Sequence, residues 1–393
     1  MIKSKRLLAA SLAASLVLAA CGGDDDDSAS DEPATAEEPA TAEEPATGEP
    51  AADGEAVKTC LVTDLAGIDD KSFNATAWQG VEDAIDAGYA TSDSFYLESD
   101  AEADWQPNID QMIAQDCQHI VTVGFALDAV TQANAPANPD INWTIVDVDF
   151  TDFSVDPPQD ITYDNVIELT YQTDEAAFLA GYIAASVTES GVVGTFGGGN
   201  FPTVSIFMNG FYWGVDYYNQ QKGTDVQVLG WDPNNPDTGL FTGNFTDLDV
   251  ARATAQSLLD EGADIILPVG GQINLGAGAA MTDLGMGANG DTFGALVGVD
   301  TDAYISAPEY ADLWLTSVEK KMAEGVADSI MQTATGTFTP GNKRGFLGDP
   351  DGVDIAPFHD FDSIVSDETK AEVEDIRAGI IDGSINVDPL DQY

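Results

Sequence analysis

Short apolar, β-branched runs ending in an acid recur along this chain, with helical stretches between them. LVTD closes at Asp64, TIVD at Asp147 and VGVD at Asp300. Runs this short and this continuous read as strands buried on both faces, which is how parallel sheets are built. Strand, helix and strand in alternation give an α/β fold. Ligands of open α/β sheets bind beyond the carboxyl ends of the strands. Acids at three such ends therefore outline a carboxylate-lined cleft. An acid in that position can also cap the helix that follows, and the sequence leaves both roles open.

The alternation runs twice. KTCLVTD, DSFYLES, HIVTVGF, WTIVDVDF and ITYDNVIEL form a first block, residues 57–173. GVVGTF, then residues 226–231, 264–269 and 294–299, form a second block within 174–300. Two similar blocks imply two lobes with a cleft between them. LTSVEKKMAEGVADSIMQTATG reads as a helix, part of 301–340 that returns to the first lobe. Residues 341–393 read as a loop-rich C-terminal segment that packs on the lobes and ends in a short helix, 367–383.

Residues 1–20 carry Lys3, Lys5 and Arg6 ahead of an apolar, small-residue run too short to span a bilayer. This is the pattern of a secretory signal. It ends in Leu18-Ala19-Ala20-Cys21, which resembles the bacterial lipobox, so Cys21 is the expected lipidation site. Residues 22–56 hold 13 acids, no Lys or Arg, and a repeated EEPATA hexad. Such a stretch has nothing to bury in a core and reads, with Cys21, as a disordered acidic tether over 21–56.

The chain has 69 acids against 13 lysines and arginines, a formal charge of −56. That excludes a nucleic-acid partner, which needs cations for its phosphates, and a polybasic contact with lipid headgroups. A salty medium, which screens such charge, is one origin for this composition. The two histidines, His119 and His359, lie far apart, and no metal-ligand spacing or cofactor motif occurs. Ser317-Val318-Glu319-Lys320 matches S-x-x-K but lacks its K-T-G and S-D-N companions. Neither an enzyme nor a metal or cofactor site is expected. Cys60 and Cys117 fall in and beside strands that neighbour one another in doubly wound sheets. In an exported chain they are expected to form a disulfide.

The densest stretch is LVTDLAGIDDKSFNATAWQG, residues 61–80. After the strand come Asp64, candidate helix caps Asp69 and Ser72, and then Asp70, Lys71, Ser72, Phe73 and Asn74 in a row. An aromatic beside an amide in a polar turn fits a ligand wall, although Phe73 could also staple the helix start. Phe245, alone in the polar loop TGNFTD, could face it and stack a planar ligand. Lys71 and Lys320 stand out in a body so poor in bases, although Lys320 with Lys321 could also form a solvated helix face. GTFGGGN, residues 194–200, is neither a dinucleotide fingerprint nor a P-loop. It reads as a place of close backbone approach.

Residues 61–80 resemble the D-x-G-G-x-D-D-x-S-F-N signature of the basic membrane protein (BMP) family, substrate-binding lipoproteins of bacterial ABC importers whose characterised members bind purine nucleosides. IVTVGFALDAV, DEAAFLAGYIAA, VGTFGGGNFPTVSIFMNGFYWGVDYYN, EGADIILPVGG, VGVDTD and LTSVEKK continue the likeness through most of the body. Ala66-Gly67 replaces the usual Gly-Gly, and the loops before Phe245 and around GGQINLGAG depart from the pattern. The resemblance implies a type I periplasmic-binding-protein fold: two doubly wound α/β lobes, three crossings and a central ligand cleft. It implies that Phe73 and Phe245 sandwich a base and that Asp64, Asn74 and Asp147 bind its edge. Asp300 and Lys320 would hold ribose hydroxyls, with Gly271 nearby. It also implies a monomeric, lipid-anchored receptor on the extracytoplasmic face of the cell membrane, partnered by a permease and an ATPase. A sugar or another small signalling molecule remains the alternative ligand, since receptors of this fold bind sugars with aromatic walls and Asp rims as well.

Overall fold

The computed structural model describes residues 54–393 apart from Phe153. The expected signal sequence, Cys21 and the expected tether up to residue 53 lie outside the described residues.

Two six-stranded sheets organise the chain. The first contains β1 (Thr59–Val62), β2 (Phe95–Leu97), β3 (His119–Val123), β4 (Asn142–Val146) and β5 (Val166–Tyr171). The second contains β6 (Val192–Gly197), β7 (Gln227–Leu229), β8 (Ile265–Val269), β9 (Ala295–Asp300) and β10 (Trp314–Lys320). Each sheet receives its sixth strand from the C-terminal segment, β11 (Gly341–Gly345) in the first and β12 (Val353–Ile355) in the second. The orders are β11-β5-β4-β3-β1-β2 and β12-β10-β9-β8-β6-β7. All neighbours run parallel except β12, which is antiparallel to β10. The fully buried residues of β1, β3, β8 and β9 explain the continuous apolar runs.

The helices α1 (Phe73–Asp86), α2 (Glu102–Ala114) and α3 (Asp128–Asn134) belong to the first lobe, and α8 (Met322–Thr335) packs on α1. In the second lobe α4 (Thr173–Val187) packs on α5 (Pro202–Lys222), and α6 (Leu248–Asp260) on α7 (Gly271–Asp283). The final helix, α9 (Asp367–Ile381), packs on α4. The chain therefore crosses between lobes three times: at Gln172, at Lys321, and between β11 and β12. In the doubly wound order the strand sequence reverses between β1 and β3, and again between β6 and β8. These reversals are where a ligand crevice opens.

Three sequence expectations change. LTSVEKK is a strand rather than the start of a helix, so Lys320 ends β10 and Lys321 is a crossing residue. Pairing of β10 with both β9 and β12 decides this, overriding local pattern. The segment 341–393 is built into both sheets rather than packed on them as loops. Its final helix has 15 residues and is N-capped by Ser366, whose Oγ accepts from Thr369 N at 3.0 Å. GGQINLGAG is not a loop, because α7 begins at Gly271.

Cys60 and Cys117 form a disulfide with Cα atoms 6.0 Å apart, tying β1 to the turn before β3. With its ends 57 positions apart in sequence, the chain-entropy model gives about 4 kcal/mol of stabilisation as an upper value. Burial raises six carboxyl groups: Asp70, Glu168 and Glu175 to about 7, Asp174 to about 6, and Asp64 and Asp300 upward as well. His119, fully buried between Thr333 and Thr144, is lowered by burial to about 3.

Two outcomes follow. Replacing both Cys60 and Cys117 with Ala should lower urea stability by up to about 4 kcal/mol, and thiol reagents should label neither cysteine in the native protein. Labelling of both would contradict the bridge. The raised carboxyls bind protons more tightly folded than unfolded, so their contribution is complete below about pH 4 and is lost as pH rises through 6 to 7. His119 runs the other way as a single group, destabilising below its unfolded pKa of about 6.5. Melting temperature, read in molar salt to screen surface charge, should therefore fall from pH 5 to pH 8. A rise over that range would contradict the burial of these acids.

Candidate functional site

Asp64 lies two residues beyond β1. Its Oδ1 accepts from Asn74 Nδ2 at 2.8 Å and from Ala66 N at 3.0 Å. Burial pushes its pKa up against these two hydrogen bonds. Neither Asp69 nor Ser72 caps α1 with its side chain. A 3-10 turn, Ile68–Asp70, precedes the helix, and the buried Asp70 carboxylate takes the helix's free N–H groups. It accepts from Ser72 N, Asn74 N and Ala75 N at 2.8–3.1 Å, and from Asn74 Nδ2 at 3.1 Å. Asn74, fully buried, is thus held between two carboxylates. Ser72, released from capping, reaches the other lobe, where its Oγ donates to Asp300 Oδ2 at 2.7 Å.

Lys320 gathers the remaining strand ends. Its Nζ donates to Asp147 Oδ2 at 2.6 Å across the lobes and lies 3.7 Å from Asp300 Oδ1. Burial is the largest influence on Asp300 and raises its pKa, while Lys320 and Ser72 pull it back down. The same ammonium sits 4.9 Å from the Phe207 ring centre, 5.4 Å from Phe73 and 6.0 Å from Tyr171, within cation–π range. Asp147 and Asp300 both adopt left-handed backbone, φ 62° and 69°. Asp tolerates that region better than most residues. Two such positions on the partners of one lysine mark strain held at a site.

Phe245 lies against the second lobe's strand reversal. A Cβ on Gly198 would come within 2.2 Å of its ring, and one on Gly270 within 2.8 Å. The glycine run is thus a bed for aromatic rings: Gly199 likewise makes room for Phe201. Phe201 stacks on Phe245 with centres 6.1 Å apart and meets Phe125 of the first lobe at 5.8 Å. Gly271 permits close approach of the lobes, since a Cβ there would meet Asp70 at 3.1 Å and Ser72 at 3.3 Å.

A cavity of about 390 Å³ lies between the lobes. Asp64, Phe73, Asn74, Asp147, Phe245, Gly271, Asp300 and Lys320 all line it, so the structure brings together every ligand residue named from the sequence. Asp70, which the sequence placed in the dense turn without a ligand role, also lines it, as do Gly124, Phe125, Phe201 and Phe207, which the sequence did not single out. Their signals were faint: a second Asp beside Asp69, Phe125 directly after Gly124, Phe201 after Asn200 beyond the glycine run 197–199, and Phe207 among the apolar residues of a helix. Lys71 does not line this cavity. It reaches out to Glu309 of the second lobe, Nζ to Oε1 2.6 Å. The arrangement offers a planar ligand aromatic faces, and offers its rim carboxylates and one ammonium, with no second cation among the described lining residues for a phosphate.

The chain matches the family model described as Bmp, ABC transporter substrate-binding protein PnrA-like, over residues 57–391. It is 27% identical to a CD4+ T-cell-stimulating antigen of Listeria innocua, over 96% of this chain and 95% of that one. It is 26% identical to the ABC transporter nucleoside-binding protein BmpA of Lactococcus lactis, over 84% of this chain and 89% of that one. Among solved structures, an ABC transporter solute-binding protein of Aeropyrum pernix superposes with TM-score 0.71 at 22% identity, covering 86% of this chain and 94% of that one. That likeness carries the fold, the type I periplasmic-binding architecture of two α/β lobes. Family model and site-bearing cleft agree, and the chain belongs to the Bmp family of PnrA-like ABC transporter substrate-binding proteins.

Proposed function

We propose that this protein is a lipid-anchored receptor that captures a purine nucleoside between its lobes and hands it to the permease of an ABC importer. The observation that carries the reading is that one cavity is lined by Phe73 from one lobe and Phe245 from the other together with Asp64, Asp147, Asp300 and Lys320. A planar base matches the walls, and its N–H groups match the Asp64 end. Ribose hydroxyls match Asp300 and Lys320, which can accept and donate respectively. The excess of carboxylates favours a neutral nucleoside over a nucleotide. A relative named as a nucleoside-binding protein supports the same ligand class. Cys21 after the signal sequence supplies the anchor, and the acidic stretch after it gives reach from the membrane to the permease.

Calorimetry with guanosine, adenosine, inosine and cytidine tests the ligand. At least one purine nucleoside should bind, and its 5′-monophosphate should bind more weakly; silence with all four nucleosides would sink the reading. Phe73→Ala should cost about 1–3 kcal/mol of binding, by analogy with base stacking on aromatic side chains; unchanged affinity would remove Phe73 from the site. For the anchor, Cys21→Ser should move the protein from the membrane fraction to the soluble fraction. Retention of that variant in the membrane would contradict lipidation at Cys21.

A further inference from the structure

The two lobes carry the same sign of charge, and heavily. The first, residues 54–171 and 321–345, holds 25 acids and 5 bases; the second, residues 172–320 and 346–393, holds 32 acids and 5 bases. Their formal charges are −20 and −27. Each of these ten lysines and arginines already sits in an ion pair with a carboxylate. Closing the cleft therefore pushes together two anionic bodies with no uncommitted side-chain cations between them.

Only a few contacts oppose that repulsion. Besides Lys321–Glu319 within the crossing itself, two ion pairs among the described residues join lobe to lobe: Lys320 with Asp147, deeply buried beside the second crossing, and Lys71 with Glu309, about 40% exposed on each side. The others are uncharged or short-range: the Phe125–Phe201 contact, Ser72 Oγ to Asp300 at 2.7 Å, and Gln272 Nε2 to Ala66 O at 3.1 Å. Salt acts unequally on these forces. The Debye length falls from about 30 Å at 0.01 M to about 3 Å at 1 M, so repulsion spread over whole lobes is screened first. A buried pair and an aromatic contact hardly feel it. A single exposed pair such as Lys71–Glu309 is a weak attraction, small against repulsion summed over tens of charges.

We propose that ionic strength gates closure of the cleft: at low salt the lobes repel and stand apart, and salt lets them close, with the Lys71–Glu309 clasp lowering the amount needed. The proposal rests on movement of the lobes about the three crossings. It does not depend on which solute binds. Solute capture in this chain strengthens as salt rises, the reverse of binding held by exposed charge pairs. Lys71, conspicuous in the sequence yet absent from the cavity lining, thereby gains a task.

The test uses the full chain without ligand. A dye pair is placed on Asp110→Cys in the first lobe and Asp260→Cys in the second, both exposed in the native fold, with the native disulfide intact. Single-molecule energy transfer is followed from 0.01 to 1 M NaCl while circular dichroism confirms that the chain stays folded. The distant population should give way to a close one as salt rises. KCl and choline chloride should give the same midpoint as NaCl, and sucrose of equal osmolality should not reproduce the change. Lys71→Glu should raise the midpoint about two-fold or more, and adding Glu309→Lys should bring it back. If the chain unfolds at the lowest salt, the same trend is required across the folded range. A distance indifferent to salt, or lobes that part as salt rises, would overturn the proposal. Because no ligand is present, failure of the nucleoside reading leaves this result untouched, and the reverse.

Discussion

The buried ammonium of Lys320 is the point on which the two lobes depend. A charge with 3% of its residue exposed is tolerated only when it is paired, and its partners come from both sides: Asp147 from the end of β4, Asp300 from the end of β9. Lys320 is also the last residue before the second crossing, and Tyr171, in its aromatic surround, is the last strand residue before the first. A change in the angle between lobes must therefore alter the environment of this one group. The left-handed backbone at Asp147 and Asp300 aims their carboxylates at the ammonium, and Ser72 holds Asp300 from the opposite lobe. Removing Lys320 would leave buried carboxylates facing one another, which is why pocket and hinge are one structure here.

Much of this was legible because chemistry sits at strand ends. Buried strands announce themselves by composition, and the residues at or just beyond their carboxyl ends fall at the cleft, which is how Asp64, Asp147 and Asp300 could be named together. Rarity helped as well: in a body with ten bases, Lys320 and Lys71 could not pass unnoticed. Asp70 was harder, since a capping carboxylate inside an acid pair looks like any other acid. Phe201 and Phe125 look like ordinary hydrophobics until the glycine bed and the opposing lobe are in place.

The failures share a physical cause. LTSVEKK is a strand because β9 and β12 pair with it from both sides, a fact absent from its local pattern. GGQINLGAG is helical although rich in glycine, because its glycines are there for contact. A Cβ on Gly276 would come within 2.7 Å of Leu248 O, and one on Gly278 within 2.7 Å of the Tyr310 ring. The strand Gly341–Gly345 carries Lys343 and Arg344 at a sheet edge, where charge guards against stray pairing and hides the strand from a search for apolar runs. Each is long-range packing overriding local propensity.

Ligand identity is the claim on which the account stands or falls, and the protein's own cargo answers it most directly. The protein purified natively from its source, denatured and extracted, should release a purine nucleoside detectable by mass spectrometry. A sugar, a peptide or a phosphorylated nucleotide as the released species would contradict the account.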